Sequence, residues 1–178
     1  AALRELMAVD PTAAEKLAFP ATVLEQLSST FPSQAASLEQ RGRGCVERIG
    51  HGVHSIADAG LMDRLRRDRV PLEVCPTSNI CLGLAPDVAH HPFDELRRAG
   101  LEVSINTDDP ALFDTTLSEE FRRVGEAFSY TPEVLAKLAL AAAEHSFLPE
   151  AEKRAHLAAM REEILAAASR HLGRELEI

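Results

Sequence analysis

The chain has no tryptophan, one tyrosine and three cysteines, and it carries a net charge of −9. Aromatic residues make up 4% of it, too few for the stacked platform on which single-stranded bases lie. The excess of negative charge opposes phosphate backbones and anionic lipid alike, since either would need a concentration of cations. The one cluster of that kind, Arg64, Arg66, Arg67 and Arg69, reads as the solvated face of a helix. Nucleic acid and membrane are therefore not expected partners. Cys45, Cys75 and Cys81 form no Cys-x-x-Cys pair and are odd in number, which fits reduced, mostly buried thiols of a cytoplasmic protein. The cysteine-ligated zinc deaminases acting on cytosine, or on adenine in RNA, carry Pro-Cys-x-x-Cys, so that class is set aside. No signal-peptide pattern and no long apolar run speak against the cytoplasm.

What is present is a repeated arrangement: a short apolar run that ends in small or polar residues. Residues 45–49 lead into Gly50-His51-Gly52-Val53-His54, residues 71–75 into Pro76-Thr77-Ser78-Asn79, and residues 101–105 into Asn106-Thr107-Asp108-Asp109-Pro110. Read as parallel strands with helices between them, the three runs put their polar ends on one face. That is the face on which α/β proteins build active sites. Adjacent carboxylates at a strand end point in different directions, so one can ligate a metal while the other faces a substrate. Their mutual repulsion needs a cation or donors to offset it; the plain alternative for this stretch is a solvated turn. His51 lies between two glycines rather than among apolar neighbours, which favours a ligand-facing side chain. His54 is expected to cap or pack at the next helix, and His90-His91 before Pro92 reads as a helix entry rather than a metal site. Downstream, Leu117, Phe121, Val124 and Phe128 keep helical spacing, as do Val134, Leu135, Leu138 and Leu140. Leu157, Met160, Ile164, Leu165 and Ala168 form a third such stripe. Thr131-Pro132-Glu133 and Pro149 mark helix starts and Gly173 a stop.

In this order, His51 in Gly-His-Gly, Cys75-Pro76-Thr77-Ser78-Asn79, Asn106-Thr107-Asp108-Asp109-Pro110 and Ser146-Phe147-Leu148-Pro149-Glu150 resemble the last third of an adenosine deaminase, over residues 46–160. The resemblance implies a (β/α)₈ barrel with one zinc ion per active site. It also implies hydrolysis of the 6-amino group of a purine nucleoside, adenosine becoming inosine with release of ammonia. Asp108 would then be a zinc ligand, Asp109 would hydrogen-bond the purine ring, and His51 would orient the attacking water and assist its deprotonation. The expected partner is a small purine nucleoside or base.

Two motifs of that family have no counterpart here. The histidines are His51, His54, His90, His91, His145, His156 and His171, with no His-x-His among them, and no His-Ala-Gly-Glu precedes His51. A complete barrel of eight strand-helix units usually takes about 250 residues; this chain has 178. The expected fold is accordingly α/β, a partial barrel over residues 45–178 made of the last three strand-helix units and C-terminal helices. A helical segment broken by Pro11, Pro20 and Pro32 precedes it over residues 1–44. Two functional readings follow: part of a purine deaminase, or a truncated or internally deleted family member that lacks most zinc ligands and is inactive. An incomplete barrel would leave apolar faces uncovered and favour self-association.

Overall fold

The computed structural model describes residues 47–178, and the expected helical segment at 1–44 lies outside them. Three short parallel strands, β1 (Ile49–Gly50), β2 (Leu72–Val74) and β3 (Val103–Ile105), pair in the order β1-β2-β3. The register sets Ile49 against Leu72 and Leu72 against Val103, and the next row joins Gly50, Glu73 and Ser104. Val103, Ser104 and Ile105 are all buried, as expected of a parallel strand covered on both faces.

Helices connect and cover the sheet. After β1 come a 3₁₀ turn (Val53–Ala57) and α1 (Ala59–Asp68), which starts where the Asp58 side chain accepts from the Leu61 N–H at 3.0 Å. α2 (Pro76–Cys81) follows β2 directly, and α3 (Phe93–Arg98) leads into β3. Residues 76–79, read from sequence as turn-forming, are thus the first turn of a helix. Pro76 at its start has a φ already suited to that turn and no N–H to leave unpaired. Beyond β3, α4 (Leu117–Phe128), α5 (Pro132–Glu144) and α6 (Glu150–Leu172) arise from the three stripes, and Gly173 ends α6 in the left-handed conformation. α5 packs on β3 and α6 packs on α5.

The main core joins Leu72, Val74, Val103 and Ile105 from the sheet to Leu65, Phe93, Leu96, Val124 and Leu138 from the helices. A smaller cluster of Ala136, Ala168 and Leu176 fastens α6 to α5. Leu165, on the expected packing stripe of α6, is instead 37% exposed. Each arginine of the 64–69 group faces a carboxylate: Arg64 Asp68 at 3.6 Å, Arg66 Asp63 at 2.6 Å, Arg67 Asp68 at 3.2 Å and Arg69 Glu102 at 2.5 Å. Cys75 is a buried free thiol, and burial pushes it up to about 12; Cys81 is free and exposed, against the expectation of burial. Among the described residues no helix is long and apolar enough to cross a membrane.

Candidate active site

The sheet ladder continues one residue past the strand ends, and this fixes where the polar groups stand. The His51 N–H donates to the Glu73 carbonyl at 2.9 Å and the Asn106 N–H to the Val74 carbonyl at 2.9 Å. Past those points the backbone turns. His51 and Asp108 both adopt left-handed conformations, with φ of 56° and 57°. Arg69 and Ser129, which share that conformation, are helix caps, where it is routine. At the strand ends it costs about 1–3 kcal/mol per residue and swings two side chains toward one another. Gly52 follows at φ 68°, and a Cβ there would come within 2.6 Å of Leu72 Cδ2, so the second glycine of Gly-His-Gly lets the chain lie on the core.

The three strand ends converge. His51 Nε2 stands 3.5 Å from Asp108 Oδ2, and the Ser78 hydroxyl donates to that same oxygen at 2.7 Å. The Asn79 amide lies 3.0 Å from His51 Nδ1. Of these, His51 and Asp108 border an open pocket of about 470 Å³ whose walls also include Gly50, Glu73, Cys75 and Leu117. Glu73 is paired with Arg48 at 3.2 Å, and that guanidinium stacks 3.7 Å from the centre of the Phe147 ring.

Asp109 sits differently from its neighbour. Its Oδ1 accepts from the Ala111 and Leu112 N–H groups at 3.1 and 3.0 Å, and it is absent from the pocket wall. The pair thus divides, with Asp108 inside the site and Asp109 bracing the turn at its rim. Among the described residues no three His, Cys, Asp or Glu side chains come together as a metal would need. A catalytic zinc ordinarily takes three protein ligands, so these residues do not make a zinc centre by themselves; Asp108 offers one carboxylate.

Two supporting groups escaped the sequence reading. His91, taken as a helix-entry residue, does cap α3 by accepting the Phe93 N–H at Nδ1, 3.0 Å away, but its Nε2 also meets Asn79 Oδ1 at 3.1 Å. Burial, and then the nearby His51, hold His91 down to about 4, so it is neutral at ordinary pH. Glu120 is wholly buried: it accepts from Thr115 Oγ1 at 2.6 Å and from the Thr77 N–H at the start of α2 at 3.1 Å. Its place on the apolar face of α4, four residues before Val124, was the available sign.

The family model for adenosine deaminase matches residues 43–163. The adenine deaminase of Rhizobium leguminosarum is 42% identical over 111 residues, which is 62% of this chain and 34% of that protein. The adenosine deaminase of Bos taurus is 38% identical over 109 residues, 61% of this chain and 30% of that protein. Among solved structures, an amidohydrolase from Burkholderia ambifaria with bound zinc superposes with a TM-score of 0.65 at 26% identity, covering 72% of this chain and 36% of that one. The chain thus spans about a third of the length of the curated relatives it matches.

Proposed function

The chain belongs to the adenosine deaminase family, its three strand-helix units forming part of a (β/α)₈ barrel, and from that premise we propose that it serves hydrolytic deamination of a purine nucleoside, adenosine to inosine and ammonia. The observation that carries this reading is the convergence of His51, Ser78 and Asp108 at one rim, with His51 Nε2 3.5 Å from Asp108 Oδ2. Asp108 would contribute one carboxylate to a zinc centre, whose other ligands would have to come from outside the described residues. Ser78 donates to Oδ2, which leaves Oδ1 as the oxygen that would ligate the ion. The chemistry asked of zinc in such a site is to bring the pKa of a water toward neutrality. His51 would orient that water from the end of β1, on the far side of β2 from Asp108. Asp109 has Oδ2 free of the turn it braces, and that oxygen is the one available to hydrogen-bond the purine ring. The relatives include both adenine and adenosine deaminases.

The test is a chimera in which the 111 residues of this chain that match the Rhizobium leguminosarum adenine deaminase replace their counterparts in that protein. Ammonia release from adenosine and from adenine is measured, with zinc counted per chain. Release that Asp108→Ala abolishes supports the reading. A folded, zinc-loaded chimera that releases none from either purine overturns it.

A further inference from the structure

Behind His51 lies a line of buried polar groups whose direction is set by one atom that cannot change roles. The Phe93 backbone N–H only donates, and its partner is His91 Nδ1 at 3.0 Å. His91 Nδ1 must therefore be bare, and in a neutral imidazole the proton then resides on Nε2. That Nε2 meets Asn79 Oδ1 at 3.1 Å, so it donates and the amide oxygen accepts. The amide's other end, Nδ2, is then turned to His51 Nδ1 at 3.0 Å. An amide NH₂ has no capacity to accept, so His51 Nδ1 is bare and its proton is on Nε2, facing Asp108 Oδ2. Reversing any one link would set two donors against each other inside the protein. Asn79 is 0% and His91 4% exposed, so water offers neither a substitute partner. Burial keeps His91 neutral and hence able to serve as both acceptor and donor.

Resting on the proposed site, we infer that Asn79 and His91 are positioning residues that hold His51 in the Nε2-protonated tautomer, so that His51 meets the attacking oxygen as a hydrogen-bond donor and not as a base. The family resemblance assigned His51 help with deprotonating the water, which needs a bare Nε2. The relay denies it that lone pair. What His51 can do in this tautomer is donate to an oxygen held between itself and Asp108, fixing its direction of approach. The purpose of a histidine twelve residues after Asn79 in sequence, with no contact to the pocket, is then to orient the amide, since an unrestrained Asn79 could turn over and present its oxygen to His51.

The experiment reads the tautomers directly, by long-range ¹H–¹⁵N correlation of the imidazole nitrogens in the full chain at neutral pH, each histidine assigned by the loss of its signals on substitution. His51 and His91 are both expected to show an unprotonated Nδ1 and a protonated Nε2. Asn79→Asp, which puts an acceptor where the amide donates, is expected to move His51 Nδ1 into the protonated range. His91→Gln, whose amide can still donate to Asn79 Oδ1, is expected to restore the His51 pattern that His91→Leu loses. A protonated Nδ1 on His51 in the unaltered chain, or a His51 pattern indifferent to Asn79→Asp, overturns the inference. The unaltered chain alone decides the first point even where a variant does not fold. No substrate enters these spectra, so failure of the deaminase reading leaves them standing, and a chimera that deaminates while His51 carries its proton on Nδ1 sinks only the relay.

Discussion

Asp109 shows how one carboxylate can hold two assignments that a single substitution separates. Its Oδ1 accepts two backbone N–H groups in the turn after β3, while Oδ2 is the oxygen proposed to meet the purine. Asparagine keeps an acceptor for the turn and removes the charge. In the chimera, Asp109→Asn is expected to retain zinc and stability while kcat/KM falls by about 10²–10³-fold, the usual loss of one preorganised electrostatic partner. Asp108→Ala, by contrast, is expected to lose the metal itself. Metal analysis beside steady-state kinetics distinguishes the two, and equal zinc loss in both variants would count against the division of roles.

At the scale of elements, α2 depends on a residue from α4. Glu120 supplies a carboxyl oxygen as acceptor to the Thr77 N–H, one of the unpaired donors at the start of that helix, and Thr115 Oγ1 satisfies its second oxygen. Arg123 reaches back from the same helix to Thr77 Oγ1 at 3.0 Å. Since α2 carries Ser78 and Asn79, the orientation of the site rests on this clasp. Glu120→Ala is expected to cost about 1–3 kcal/mol in urea unfolding, because it strands the buried Thr77 N–H and leaves the Thr115 hydroxyl only the longer contact to the Thr116 carbonyl. An unchanged midpoint would show that α2 holds its place without it. A second clasp joins other elements: Glu102 beside β3 meets Arg69 at the end of α1 and His145 at the end of α5, the latter at 2.7 Å.

For the whole molecule, His91 links stability to pH. Its folded value of about 4 lies below the ordinary 6.5, so the unfolded chain takes up the proton first as pH falls. Stabilisation present above pH 6.5 is therefore lost progressively down to about 4 and changes no further below it. The shift corresponds to on the order of 3 kcal/mol at most. Unfolding midpoints followed across that interval are expected to decline in the unaltered chain and to decline less in His91→Gln; parallel slopes would assign the loss to other groups. The sheet offers a second expectation. Among the described residues β1 and β3 each pair on one side only, and Leu117, Phe147, Leu148 and Leu172 are exposed. Open edges and apolar patches invite pairing, so concentration-dependent self-association is expected in light scattering. A constant monomer mass up to high concentration would argue otherwise.

The sequence alone determined β2, β3 and the three helices that follow β3 in kind and order, but not the helix at Pro76–Cys81, which it presented as a turn. Periodicity and caps are local: the stripe from Leu117 to Phe128, Thr131-Pro132-Glu133 and Gly173 each report on backbone within one or two turns. It also marked His51 and Asp108, because polar residues closing apolar runs are visible without coordinates. Only the tertiary structure decided which partners they meet. Asn79 lies 28 residues from His51, Ser78 30 from Asp108, and Thr77 43 from Glu120, and no spacing rule spans such separations. The same holds for the fate of Asp109, whose acceptance of two N–H groups depends on how the turn closes, and for the direction of the His91–Asn79–His51 line, which one backbone donor in a buried setting dictates. Hydrophobic pattern says which face of an element is buried; hydrogen-bond polarity is settled only when the buried groups are brought within reach of one another.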